Sequence, residues 1–448
     1  MRWLVFGLAL LALACLFRPV VEGDAVGYFA YEHSLVFDHD LNFSDEYAAA
    51  KAAGVTLYLD NIDPRTATGL PVNFQPVGSA LMAMPFYLVA VALHPSGVPQ
   101  WAAPFTTAIA AASLLYGLLA LALSYALARR SLVATLATLT ATPLLYYLTA
   151  EPGYSHTFSV FASALFAVVW WRSPDRSPAG WFLLGLLGGF MGAVRIQDGA
   201  LAVIAVLDLP RARLRALAML PGLLLGFLPQ LIAEKVIFGT WTPGRGQFSI
   251  LEWFPGHYLQ VLFSSHNGLF AWTPIALVAV AGWFLLEDRR LRAACLLGLA
   301  VEVVVAGTQG DWWGGQAFGM RRLLDLTPFF AVGLAAVARR LRPALAWAAA
   351  GALTAWNLLL MANYSYVIRV DRDPGYLGLL AGQLKALPDL PRVLLQGDVV
   401  RDLLLFRAAH RPFDPLAGVL LLAIEAACLA AALAAADNLA KRLGGEHG

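Results

Sequence analysis

The sequence predicts an all-α polytopic membrane protein, a bundle of about twelve transmembrane helices with juxtamembrane helices in the first outer loop. Three observations predict it. The chain is 59% hydrophobic and 13% charged, with a mean hydropathy of +0.67, too apolar for a water-soluble globular domain. Apolar runs recur along all 448 residues, and arginine collects at their ends. A net charge of +2 says little about partners, because in such a chain the location of charge matters more than its sum; no nucleic-acid partner is expected. Cys15, Cys295 and Cys428 lie in apolar runs, without disulfide or metal-site spacing.

Taken in order, the candidate spans are 2–21, 75–93, 102–128, 131–150, 155–171, 179–195, 197–210, 213–236, 268–286, 291–308, 321–338, 343–363 and 414–436. The first is read as a retained helix, because its apolar run continues past Ala12-Leu13-Ala14-Cys15. Arginine and lysine gather at Arg129-Arg130, Arg172 with Arg176, Arg211-Arg213-Arg215, Arg289-Arg290-Arg292, Arg339-Arg340-Arg342 and Lys441-Arg442. Positive charge near span ends marks the cytoplasmic side. All these clusters, with Arg2, fall on that side only if 75–93 does not cross. It follows Gln75-Pro76 and contains Pro85, so it is read as a re-entrant or surface-lying helix. Segment 197–210 is short for a span and carries Asp208 near its inner end. Twelve spans with both termini inside result. No repeat or separable soluble domain is visible, so residues 1–448 form one membrane domain. Its outer loops are 22–101, 237–267, 309–320 and 364–413.

The first outer loop is acidic: residues 22–76 hold nine Asp or Glu against only Lys51 and Arg65. Tyr28, Tyr31, Leu35 and Val36 recur at helical spacing, which predicts an amphipathic helix along the interface. Ser44 before Asp45-Glu46 is a helix-start signature, and the YAAAKAAG run ends at Gly54. Asp45 and Glu46 then read as helix-terminus charges, and Asp38, His39 and Asp40 as solvated turn residues. Asp24 is held where the first span ends. It is either an acid that closes a hydrophobic helix or a general base fixed at the membrane surface.

Gly23-Asp24, GYFAYEHSL, FQPVGSALMAMPFY, Arg195-Ile196-Gln197-Asp198, LFSSHNGLFAWTP at 262–274 and GGQAFGMRRLLDLTP at 314–328 resemble patterns of bacterial GT-C membrane glycosyltransferases. The nearest families are the protein O-mannosyltransferase-like proteins of glycosyltransferase family 39 and the lipid A aminoarabinose transferases. The resemblance covers most of the chain in layout, through short motifs. It implies a bacterial inner-membrane enzyme with a GT-C-like bundle. Such an enzyme passes a sugar from a polyprenyl-phosphate donor to a lipid, glycan or protein acceptor on the periplasmic face. It also implies a catalytic or metal-ligating acid at Asp24 and a second acid at Glu151 in EPGYSH. The chain departs from the families where a tandem Asp-Glu becomes Asp24-Ala25 and a Lys-Pro-Pro becomes Phe74-Gln75-Pro76.

Such a transfer needs a group to deprotonate or orient the acceptor, cations for the departing phosphate and a surface for the sugar. Asp24 is the choice for the first role, with Glu151 sharing it or completing a divalent metal site with Asp24 and His156. No cofactor is otherwise implied. Glu151 and His156 are five apart, which is not a helical ligand pair. Arg195, Arg245, Arg321 and Arg322 are the candidate phosphate ligands, with His266 as a further donor contact. Ion pairs of Arg321 with Asp325 and of Arg195 with Asp198 are the competing explanation. Tyr28, His156, Asp311, Trp312 and Trp313 are candidate substrate contacts, with an interfacial aromatic belt as the alternative for the tryptophans. A transporter or flippase would place its polar site within spans, where Glu302 and Glu425 lie. An O-antigen-type ligase or polymerase would lean on outer Arg and His, and a noncatalytic scaffold is the blandest option.

Overall fold

The computed structural model of the protein describes residues 13, 16–55, 65–93, 99–244, 252–366 and 373–394. Most of 2–21, the expected last span 414–436, half of the 364–413 loop, Glu425 and Arg245 lie outside them. Within them the chain is all-α. Helices Ala25–His33 (α1), Ser44–Ala52 (α2) and Val77–Leu93 (α3) build the first loop. Ala103–Leu127 (α4), Leu132–Thr140 (α5), Leu144–Thr149 (α6), His156–Arg172 (α7), Pro178–Val194 (α8) and Met219–Phe238 (α9) follow. Pro274–Trp283 (α10), Arg289–Gly307 (α11), Thr327–Ala338 (α12), Pro343–Tyr366 (α13) and Gly375–Ala386 (α14) complete the labelled helices.

Three apolar helical stretches, Ala103–Leu127, Ile196–Phe238 and Pro343–Ser365, are long enough to cross a membrane. On α9, Leu220, Leu224, Leu228, Ile232 and Val236 recur every fourth residue and all face outward, exposed. A leucine-rich stripe of this kind is costly against water and costs nothing against lipid. Together these features mark a membrane protein.

Proline and turn chemistry break several of the expected spans. Segment 131–150 divides into α5 and α6 at Ala141-Thr142-Pro143, where the Leu144 N–H donates to Thr142 Oγ1. Pro274 separates the short turn Leu269–Trp272 from α10. Residues 321–326 form a 3₁₀ turn, non-helical at Leu323, before α12 begins.

The segment that looked too short to span is also 3₁₀. Ile196–Asp208 runs back along α8: Gly199 abuts Gly192, and Ala202 abuts Gly188. A 3₁₀ helix rises about 2.0 Å per residue, so thirteen residues reach roughly 26 Å where an α-helix would reach about 20 Å. Length in ångströms is recovered by tighter winding.

Helix α3 packs against α4 and the end of α8. Its Gly78 lies against Ala193 at the end of α8, so close that a Cβ would come within 2.5 Å of the backbone. Further along, Tyr87 packs on Phe105 in the first turn of α4, ring centres 5.4 Å apart. α4 and α7 run parallel, joined by Ser113–Thr157 and by Tyr116 on Phe161, and α8 returns antiparallel after a short loop.

Helices α8 and α9 touch backbone to backbone. Gly185 and Gly189 face Met219 and Leu223, while Gly222 and Gly226 face Phe182 and Leu186. A Cβ at any of the four would sit 2.1–2.2 Å from a carbonyl oxygen. Two glycines spaced by four on each helix permit this approach, the packing device of membrane helices without a water-driven hydrophobic effect. Gly222→Val is expected to wedge the pair apart at a cost of about 1–3 kcal/mol. A melting temperature equal to wild type would contradict the contact.

Described members of the arginine clusters gather together: Arg129, Arg339 and Arg340 line one recess. Asp208, wholly buried, accepts from Arg176 Nη1 at 2.7 Å and from Arg290 Nε and Nη2 at 2.6 and 2.7 Å. Arg290 also lies over the Trp170 ring at 3.8 Å. One carboxylate thus ties the 3₁₀ helix to α11 and the α7–α8 loop.

Candidate functional site

Gly23 begins the site. Its φ of +60° is left-handed, and a Cβ there would lie 2.4 Å from Tyr154 Oη. Only glycine satisfies both conditions, and the turn it permits sets Asp24 at the head of α1, with the Asp24 N–H donating to Tyr154 Oη at 3.4 Å. Gly23→Ala should therefore cost about 1–2 kcal/mol in backbone strain alone and displace Tyr154. An unchanged melting temperature would refute this.

Asp24 Oδ2 accepts from Arg321 Nη1 at 2.7 Å, across 297 residues of chain. The Arg321 guanidinium lies 5.8 Å above the Tyr154 ring. Its backbone is clamped from behind: Arg195 Nη1 donates to the Arg321 carbonyl at 3.3 Å, and Gln197 Nε2 to the Arg322 carbonyl at 2.6 Å. Gly314, at φ +80°, leaves room for Nε of Arg321, which would stand 3.4 Å from a Cβ. Thus four separate segments position one cation.

Glu151 completes the group. Loop 150–155 packs on the start of α1, where a Cβ on Gly153 would meet Ala25 at 2.7 Å. Tyr146 Oη donates to Glu151 Oε1 at 2.9 Å. Burial pushes the Glu151 carboxyl up to about 7. The Tyr146 hydrogen bond and Arg321 oppose the rise, and Asp24 and Glu22 add to it. Tyr28, buried, lies in the fields of Asp24, Arg195 and Arg321 and bonds to Ser155; burial raises its phenol further still.

The ion pairs differ from those expected. Arg321 pairs with Asp24 and not with Asp325, whose carboxylate has no hydrogen-bond donor. Arg195 does pair with Asp198, at 3.7 Å. Arg322 is engaged by Asp311 at 2.8 Å and by Gln309, so it secures the 309–313 loop and does not project beside Arg321. Two adjacent arginines serve two different structures.

That loop forms a second group. Trp312 and Trp313 stand perpendicular at 5.9 Å, and His266 stacks on Trp313 at 5.4 Å with its edge toward Trp312. Burial holds the His266 imidazole below its ordinary range, against the pull of Asp373. Asn267, itself left-handed at φ 62°, donates to the Trp313 carbonyl at 2.9 Å. Asp311 is half exposed at the rim.

His156 is buried against Tyr147, ring centres 4.1 Å apart, and its Nδ1 has no hydrogen-bond partner. Asp24, Glu151 and His156 do not form a metal-binding trio. Among the described residues, only His33, Asp38 and Glu46 bring ligand atoms of three such side chains within 4.8 Å of one another. This corrects the expected metal site, since Asp24 is occupied by Arg321.

The first loop brings further corrections. Every residue of α1 is buried, so it is a core helix and not an interfacial one. Ser44 is the first residue of α2 and does not cap it; its hydroxyl donates to Asn42. Glu46 is wholly buried beside His33. Tyr146, Tyr154 and Gly314 were not singled out from the sequence. Tyr154 stood inside the EPGYSH stretch, but nothing local distinguishes it from thirteen other tyrosines.

Comparison of the chain with models of known protein families, with curated proteins and with solved structures finds no match.

Proposed function

We propose that the chain is a glycosyltransferase of the bacterial inner membrane, a GT-C-like bundle of about twelve spans. It moves a sugar from a polyprenyl-phosphate donor to an acceptor on the outer face. The observation that supports this reading best is the Asp24–Arg321 pair at 2.7 Å with Glu151 in the field of both. A guanidinium has five N–H donors, and a carboxylate occupies few of them, so the rest can meet a phosphate. The acceptor oxygen bonds to the anomeric carbon as the bond from that carbon to the phosphate oxygen breaks. The bonding electrons pass to the phosphate beside Arg321, and the acceptor proton passes to a carboxylate. Glu151 suits that last role better than Asp24. Protonating Asp24 gives up its bond to Arg321, whereas Glu151 is poised near neutrality. Asp24 is then the positioning residue for Arg321. The Trp312–Trp313–His266 group supplies flat apolar faces suited to a sugar ring.

A transporter is the second reading, favoured by the carboxylates of Glu302 and Asp325, wholly buried and without hydrogen-bond donors. The two separate on one experiment with full-length protein and labelled polyprenyl-phosphate sugars. Transfer to a lipid, glycan or peptide acceptor in detergent micelles, where there are no compartments, supports the enzyme. Movement of label across vesicles with no covalent product overturns it.

A further inference from the structure

The first outer loop holds a cluster that the proposed transfer does not use. After His33, α1 widens into a π-helical turn, Ser34–Asp38, a distortion that recurs at functional sites because it re-aims side chains. The turn presents Asp38 back toward His33, and the first turn of α2 brings Glu46 to the same place. His33 Nδ1 lies 3.1 Å from Glu46 Oε1 and 3.8 Å from Asp38 Oδ2. Phe37 stacks on the imidazole at 4.7 Å and fixes its plane. Glu46 is wholly buried, and its second oxygen, Oε2, has no hydrogen-bond partner. Buried carboxylate oxygens without donors are costly, and a cation offsets that cost.

We propose that His33, Asp38 and Glu46 bind one divalent transition-metal ion of the zinc type, which fastens the end of α1 to the start of α2. Metal–ligand bonds of about 2.0–2.2 Å in tetrahedral array set ligand atoms roughly 3.3–3.6 Å apart. The two distances from His33 Nδ1 bracket that spacing, so small side-chain shifts complete the site. One imidazole nitrogen with two carboxylates suits zinc or manganese better than magnesium or calcium, which prefer all-oxygen shells. Asp38 is exposed, which leaves the fourth position open to water. The alternative is a simple His33–Glu46 hydrogen bond with no metal. The site does not depend on the transfer reaction.

The test uses full-length protein in detergent, stripped with a chelator and titrated with Zn²⁺, read by calorimetry and by melting temperature. One Zn²⁺ per chain and a raised melting temperature are expected. Asp38→Asn, at an exposed position that leaves folding intact, should weaken binding about tenfold or more, and Glu46→Gln should abolish it. Should Glu46→Gln fail to fold, His33→Gln replaces it. Asp24→Asn should keep its zinc, which separates this site from the Arg321 centre. Substoichiometric binding by wild type, equal binding by Asp38→Asn, or loss of zinc in Asp24→Asn overturns the assignment; equal binding of Mg²⁺ overturns the choice of ion.

Discussion

Asp24→Asn is expected to lower sugar transfer by roughly 10²–10⁴-fold while leaving the fold assembled. The side chains are nearly isosteric, so the turn at Gly23 survives and only charge is lost. Arg321 then stands largely buried without its counter-ion, and its guanidinium turns toward other acceptors. Its pair is only about one-seventh exposed on each side, and removing one partner of such a pair costs about 3 kcal/mol. The melting temperature should fall with activity. Arg321→Lys should not rescue function, because an ammonium lacks the planar fork. A double-mutant cycle between Asp24→Asn and Arg321→Gln should show coupling of about 0.5–3 kcal/mol. Strictly additive losses, or transfer at the wild-type rate in Asp24→Asn, would remove the pair from the mechanism.

Glu151→Gln should erase a pH dependence. With the carboxyl raised from an ordinary 4.5 to about 7 by burial, transfer that needs it ionised rises through pH 7 and levels off above. The glutamine variant should show no such limb and a rate lower by roughly 10²-fold or more. Stability runs the opposite way. The folded state holds this proton more tightly than the unfolded chain, so the acid is least costly below about pH 4.5. The cost grows as pH rises and is complete above about 7. At about 1.4 kcal/mol per unit this comes to roughly 3–4 kcal/mol, which Glu151→Gln should recover at pH 8. Melting curves between pH 4 and 8.5 that run parallel for the two proteins would sink the prediction.

The gathering of arginines was legible because charge at span ends is a local property of sequence, and the Arg176–Asp208–Arg290 network shows where they meet. Gly23-Asp24 was legible as a motif, but its reason lies in Tyr154, over a hundred residues away. The Arg321–Asp325 pairing failed for a geometric reason. Residues four apart face each other on an α-helix, but a 3₁₀ helix turns about 120° per residue and sends them to different faces. The same winding hid the reach of 196–208. Glu46 was legible as a helix-start charge and stands in the first turn of α2; its burial was not, because it rests on a contact with His33 of α1, thirteen residues away.

The distance in chain between Asp24 and Arg321 has a consequence for biosynthesis. The carboxylate leaves the ribosome 297 residues ahead of its guanidinium, roughly 15–60 s earlier at ordinary elongation rates. Throughout that interval the nascent chain carries an unmatched acid at the head of α1. The centre cannot form until most of the polypeptide has been inserted, so a ribosome stalled midway leaves the acid without its partner.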